Sequence, residues 1–270
     1  MSGSRWADLK PRVLSAAVLA PLALGCIWVG GDAFVGLVAV IAAGLAFEWL
    51  GLCRQRSAVT AILVFAALPL AVLLAAWVGV LPAVALLAAA SAAATAVAGG
   101  FSRQRPLAFG IPYLGIGAVA LVWLRQPGGA GGVNVMVLLL VVWASDIGAY
   151  MAGRAIGGPK LAPTISPGKT WSGAVGGLIA AAATGLAASA LLSHGVPSWR
   201  PPGFAVVIGV ISQMGDLFES QVKRHFGVKD SGHLIPGHGG LLDRLDAVLT
   251  AAPAAALLAL MLGRGVVLWE

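Results

Sequence analysis

The fold class predicted by this 270-residue sequence is an all-α integral membrane protein, a polytopic bundle of about nine transmembrane helices with its N-terminus in the cytoplasm. Three observations carry that expectation. Hydrophobic residues make up 59% of the chain and charged residues only 10%, and mean hydropathy is +0.94. Nine apolar runs approach or exceed the roughly 20 residues needed to cross a hydrocarbon core. Lysine and arginine concentrate in every second connection between those runs, and so on one side. A soluble chain averages about 25% charged residues, and disordered chains are poor in apolar residues, so both classes are excluded. Cys26 and Cys53 lie at or near apolar runs and offer neither a disulfide framework nor a zinc ribbon.

The spans are 12–30, 33–51, 59–78, 80–98, 107–125, 133–153, 173–193, 204–222 and 245–264. The breaks have turn chemistry: Gly30-Gly31-Asp32, Arg54-Gln55-Arg56, Gly99-Gly100, Pro127-Gly128-Gly129, and the Pro197 to Pro202 segment. The weakest break, at 79–82, leaves a re-entrant hairpin open for the third and fourth spans. Arg5, Lys10 and Arg12 before the first run resemble a signal peptide. That run is about as long as a span and has no obvious small-x-small cleavage site, so it is read as the first helix. Residues 1–106 then form an N-terminal set of four helices, and 107–270 form the set that carries the site.

With the N-terminus inside, fourteen of the 17 lysines and arginines face the cytoplasm and three (Arg125, Arg200 and Arg264) face out. Positive charge concentrates on the cytoplasmic side of membrane proteins, so this asymmetry supports both the orientation and the helix count. The formal charge of +7 is read as attraction to an anionic leaflet, and no nucleic-acid partner is expected.

Six of the ten acidic residues fall between 146 and 246. Asp146, Asp216 and Glu219 lie in or at the ends of spans, where an ionised group is costly and marks a functional pathway. Glu48 is read as a helix-end carboxylate near Arg54. Asp216, Glu219, Ser220 and Lys223 are spaced to share one helix face. Asp243 and Asp246 stand one turn apart at the start of the last helix, an arrangement suited to Mg²⁺, which uses one or two carboxylates with substrate phosphates. In the polar stretch 220–246, Gly237, Gly239 and Gly240 permit backbone amides to cradle an anion. Lys223, Arg224, Lys229 and Arg244 neutralise phosphate charge. His238 sits inside the glycine turn, while His194, His225 and His233 show no zinc spacing. Pro167-Gly168-Lys169-Thr170 is half a P-loop; Pro163 stands where glycine is needed and a membrane span precedes it, so only Lys169 and Thr170 are kept as phosphate or nucleotide contacts. The small-xxx-small pair Gly173 and Gly177 points to close helix packing, within the chain or between protomers.

Residues 220–246 resemble the signature of the phosphatidate cytidylyltransferases, or CDP-diacylglycerol synthases. Ser220, Lys223, Arg224, Lys229, Asp230, Pro236, His238, Gly239, Gly240, Asp243, Arg244 and Asp246 occupy its fixed positions. An upstream patch matches at Asp146, Ala149, Tyr150, Gly153 and Ser166 through Trp171. The resemblance covers roughly 140–250; the first hundred residues share only hydrophobicity. An acidic residue is expected after the tryptophan, and Ser172 stands there.

The resemblance implies that CTP and phosphatidic acid give CDP-diacylglycerol and pyrophosphate, a step of phospholipid biosynthesis, with Mg²⁺ and room for a second cation. The expected metal ligands are Asp216, Asp243, Asp246 and Asp146. Lys223, Arg224, Lys229, Asp230, His238 and Arg244 are the expected catalytic residues, and Ser166, Lys169, Thr170, Ser220, Gly237, Gly239 and Gly240 the expected substrate contacts. The expected setting is a bacterial inner membrane with the site facing the cytoplasm, and a homodimer is left open. Two alternatives compete: a related synthase acting on another lipid phosphate, and a secondary transporter. Against the transporter, the polar residues cluster at one face and no internal repeat is seen.

Overall fold

The computed structural model describes residues 4–101, 104–126, 130–193, 198–235, 237, 239–263 and 267–270, with side chains described from residue 17 onward. Among the described residues there are nine α-helices: α1 (Ser4–Val29), α2 (Gly31–Leu52), α3 (Ala58–Trp77), α4 (Val80–Val97), α5 (Arg105–Arg125), α6 (Gly131–Ile156), α7 (Trp171–Leu192), α8 (Arg200–His225) and α9 (Leu242–Leu262). Helices dominate because lipid offers no partner to a backbone N–H or C=O, so each spanning segment must satisfy its own. Helices α2 to α9 are long and apolar enough to cross a membrane, and Ala17–Val29 of α1 is a shorter apolar helix. This is an integral membrane protein.

The 79–82 break separates α3 from α4. Helix α4 has 18 residues and a mean hydropathy of 2.1, α3 has 20 and 2.6, so each is long and apolar enough to cross a membrane. Gly79 makes the tight turn at φ +140°, a conformation that side chains rarely adopt. Ser57 caps α3 by accepting the Thr60 N–H at 3.3 Å. Two short strands, β1 (Lys160–Ala162) and β2 (Ser166–Thr170), pair antiparallel between α6 and α7, with Lys160 opposite Thr170 and Ala162 opposite Ser166. This hairpin is absent from the expected all-helical reading.

By packing, the chain divides into two compact units, each of two segments: residues 1–123 with 228–245, and residues 124–227 with 246–270. The division expected at 106/107 groups the spans by function and does not follow these packing units.

In the first unit, Trp49 is buried and donates from Nε1 to the Pro106 carbonyl at 3.2 Å. Its indole fills the space beside Gly110, where a Cβ would come within 1.9 Å of the ring. Leu87 fills the space beside Gly115 in the same way. In the second unit, α6 and α7 meet along small residues: a Cβ on Gly148 would collide with Ala180 and the Gly176 carbonyl, and one on Gly173 with the Ala149 carbonyl. The Gly173–Gly177 pair therefore works within the chain, allowing backbones to approach closely. The segment after α9 returns to α6, where the Leu268 N–H donates to Asn134 Oδ1 at 2.9 Å and Trp269 Nε1 to the Asn134 carbonyl at 3.3 Å.

Candidate active site

The charged cluster of the second unit is built on α6, β2, α8 and α9. Asp216, Glu219, Ser220 and Lys223 follow one face of α8, as their spacing predicts. Lys169, at the end of β2, places Nζ 2.6 Å from Asp216 Oδ2. Ser220 Oγ donates to Asp216 Oδ1 at 3.4 Å. Lys223 Nζ lies 2.5 Å from Glu219 Oε2, with side-chain exposures of 13% and 1%. Asp146 on α6, Asp216 on α8 and Asp246 on α9 act on one another electrostatically, with Lys169 acting on Asp146 and Lys223 on Asp246. Three carboxylates and two ammonium groups from four elements thus share one polar region.

Close helix contacts hold that region in place. Gln213, one turn before Asp216, donates from Nε2 to Ser145 Oγ on α6 and to the Ala174 carbonyl on α7, both at 3.2 Å. Ser145 is buried and adjoins Asp146. On the other side, Gly215 lets α8 lie against Thr250 of α9, whose Oγ1 bonds the Ala247 carbonyl at 3.0 Å. These contacts fix the backbones that carry Asp146, Asp216 and Asp246.

The glycine-rich segment belongs to the first unit. Asp243 Oδ2 accepts from the Ser231 N–H (2.9 Å), Ser231 Oγ (2.9 Å) and the Gly240 N–H (3.0 Å). Glu48, on α2 and 3% exposed, accepts from Ser231 Oγ at 3.2 Å, the Leu241 N–H at 2.8 Å and the Leu242 N–H at 2.8 Å. The reading of Glu48 as a helix-end carboxylate near Arg54 is corrected: its partners lie nearly two hundred residues along the chain. Ile235 and Gly239 form a bridge, with exposed Gly237 between them at φ +77°.

The sequence-predicted residues separate accordingly. Asp146, Lys169, Asp216, Ser220, Lys223 and Asp246 are brought together in the second unit, and Arg224 is exposed at the end of α8. Lys229, Asp230 and Arg244 are exposed in the first unit and Gly239 is half-buried. Ser166 is half-buried at the start of β2. Pro236 and His238 lie outside the described residues. Two expected substrate contacts have other work in this structure. The Thr170 hydroxyl caps α7 by accepting the Gly173 N–H at 3.1 Å and is buried. The Gly240 N–H is directed at Asp243, and a Cβ there would lie 2.0 Å from Ser231 Oγ. Ser172, at the position where an acidic residue is expected, bonds the Gly157 carbonyl and the Thr170 hydroxyl, tying the hairpin to the end of α6. Sequence reasoning missed the roles of Gln213, Ser231 and Glu48; for Glu48 the signal was a carboxylate inside an apolar run.

Among the described residues, no three histidine, cysteine, aspartate or glutamate side chains meet as a ready-made cage for a metal ion. Asp146, Asp216 and Asp246 nevertheless supply hard oxygen donors in one region. That donor set suits Mg²⁺, which takes one or two carboxylates and completes its octahedron with water and phosphate oxygen. Asp243, already holding three hydrogen-bond donors on one oxygen, suits it less.

Over residues 10–262 the sequence matches the Cytidylyltransferase family. The chain belongs to that family. The match reaches well beyond the 140–250 region in which the motifs stand. A protein named phosphatidate cytidylyltransferase from Brucella suis biovar 1 (strain 1330) is 41% identical over 247 residues, covering 91% of each chain. Another of that name, from Staphylococcus saprophyticus, is 42% identical over 143 residues, covering 53% of this chain and 54% of its own. One from Staphylococcus aureus (strain COL) is 40% identical over the same length.

Proposed function

We propose that this protein is a phosphatidate cytidylyltransferase, transferring the cytidylyl group of CTP to phosphatidic acid to give CDP-diacylglycerol and pyrophosphate. The observation that carries this reading is the convergence of Asp146, Asp216, Lys223 and Asp246 on apolar helices, with Lys169 on strand β2, in a chain that belongs to the cytidylyltransferase family. Such a site suits a reaction between a lipid that stays in the membrane and a nucleotide that arrives from water.

An oxygen of the lipid phosphate attacks the α-phosphorus of CTP, a new P–O bond forms, and the bond to pyrophosphate breaks. A phosphomonoester has its second pKa at about 6, so the attacking oxygen is already ionised near neutral pH and needs no strong base. The protein's work is positioning and neutralising charge. Asp146, Asp216 and Asp246 would hold Mg²⁺, which when bound supplies positive charge to the phosphate oxygens. Lys169 and Lys223 add cationic contacts that match phosphate. Ser220 orients Asp216 through its hydroxyl. We place the protein in the bacterial inner membrane, with the site open to the cytoplasm as the fourteen-to-three charge asymmetry favours.

The experiment is a product assay with purified protein in detergent or lipid discs, across a panel of lipid phosphates and nucleotides. CDP-diacylglycerol and pyrophosphate in equal amounts, dependent on Mg²⁺ and on phosphatidic acid, are expected. Turnover only with a different lipid phosphate, or none without an ion gradient, would overturn the reading.

A further inference from the structure

Among the described residues of the second unit, two lysines pair with carboxylates, and the pairs differ in how firmly they are held. Lys223 and Glu219 are 13% and 1% exposed, and breaking a buried pair strands a charge away from water. Lys169 and Asp216 are 27% and 32% exposed, and water can take over either partner of such a pair at little cost. The contact between Lys169 and Asp216 is therefore the exchangeable one.

The exchange needs movement of one side chain only, because the backbone beside Lys169 is fixed. Thr170 caps α7 through its hydroxyl, lies opposite Lys160 in the hairpin, and precedes Trp171, whose N–H donates to the Pro159 carbonyl at 3.1 Å. From that anchored strand end a four-carbon stem carries an ammonium with three donors, which can turn from one anion to another without moving the strand. It rests on Asp216 Oδ2, while Asp216 Oδ1 receives the Ser220 hydroxyl. Its charge also acts on Asp146. Lys169 thus bears on two of the three carboxylates assigned to Mg²⁺. Like charges on one carboxylate repel at short range, so the ammonium and a metal ion cannot both be held there well.

We propose that Lys169 competes with the divalent cation for Asp216 and thereby couples cation binding to nucleotide binding: the carboxylate passes to the cation as the ammonium passes to the phosphates of CTP. Each ligand then favours the arrangement that suits the other, and such coupling is reciprocal. This rests on the reading of the site as one for Mg²⁺ and CTP. A lysine that served only as a phosphate contact would leave the cation's affinity alone, and one that served only to hold the hairpin would weaken both ligands when removed.

The test is equilibrium binding to the full-length protein in discs of phosphatidylcholine, which carries no net charge. Mn²⁺, which shares the oxygen preference of Mg²⁺, is titrated without nucleotide by its paramagnetic resonance signal, counting the binding that Asp216→Asn removes. Radiolabelled CTP is titrated separately in saturating Mg²⁺. In Lys169→Met, Mn²⁺ should bind about tenfold more tightly and CTP about tenfold more weakly, opposite signs from one substitution. Lys169→Gln should move both in the same directions, and it decides the matter should Lys169→Met fail to fold. Lys160→Met, which removes a charge from the same hairpin, should leave Mn²⁺ binding within about twofold. Unchanged or weaker Mn²⁺ binding in the Lys169 variants would overturn the competition. So would an equal tightening in Lys160→Met, the mark of a general charge effect. Tighter Mn²⁺ with CTP binding unchanged would overturn the passage of the ammonium to phosphate. Wild-type protein from which Asp216→Asn removes no Mn²⁺ binding would overturn the proposal whole. None of these titrations needs turnover, so protein that makes no CDP-lipid would defeat the proposed activity while the binding data still judged the coupling.

Discussion

Gly215→Ala tests whether the α8–α9 contact sets the geometry of the carboxylate cluster. Gly215 adjoins Asp216, and Thr250 stands one turn beyond Asp246. A methyl group at 215 would lie 2.0 Å from Thr250 Oγ1 and 2.9 Å from both Cβ and Cγ2. Carbon atoms in contact prefer about 3.5–4.0 Å. Turning the threonine can move Oγ1 and Cγ2 but not Cβ, so the helix backbones must separate by roughly half an ångström or more. Overpacking of this kind costs about 1–3 kcal/mol, against about 1 kcal/mol gained from alanine's better helix propensity. The net loss of stability should therefore be small, and the protein should still insert and fold. Catalysis is more sensitive, because a misplacement of about 1 Å can cost about 10²-fold. Turnover of CTP into CDP-lipid by purified variant should fall about 10–100-fold, with heat unfolding in detergent shifted only slightly. The double variant with Thr250→Gly removes the obstructing Cβ and should recover at least tenfold, a coupling that a double-mutant cycle isolates. Wild-type turnover in Gly215→Ala would refute the reasoning, and so would a loss that Thr250→Gly leaves untouched.

Asp216→Asn and Asp246→Asn should each lower turnover by about 10²–10³-fold in folded protein, the usual cost of removing an electrostatic contact at developing charge. Raised Mg²⁺ should restore part of that loss but none of the loss in Lys223→Ala; turnover within threefold of wild type in both carboxylate variants would defeat the metal assignment. Trp269→Ala should lower the unfolding temperature in detergent, since truncating a buried tryptophan costs about 3–5 kcal/mol, while turnover per folded molecule holds; an unchanged temperature would show that the return of 267–270 onto Asn134 contributes nothing. Cysteines placed at the exposed positions 233 and 200 in a Cys26→Ser background should react with impermeant reagents from the cytoplasm and from outside, respectively. Native Cys53 should stay silent, because burial pushes its thiol up to about 12 and the thiolate is the reactive form. Labelling of 233 and 200 from the same side would overturn the nine-helix topology.

Much of this protein could be read without coordinates, for a physical reason. Membrane class and helix positions depend on the length of apolar runs, a property of contiguous sequence, and the nine runs correspond to α1 through α9. The α8 face of Asp216, Glu219, Ser220 and Lys223 was equally legible, because helical periodicity alone places those side chains together. The signature at 220–246 named the chemistry through residues that stand close along the chain. Tertiary structure decided what depends on partners distant in sequence. Gln213 ties α6 to α7 through Ser145 and the Ala174 carbonyl, and no spacing rule joins those positions. Thr170 and Gly240 look like ligand contacts in a motif but are committed to a helix cap and to Asp243, because buried donors and acceptors take protein partners where these are in reach. Glu48 shows the division most clearly. Its sequence neighbours are apolar and say nothing of its purpose, whereas the Leu241 and Leu242 amides that it accepts stand at the start of α9 and meet it only when the chain folds.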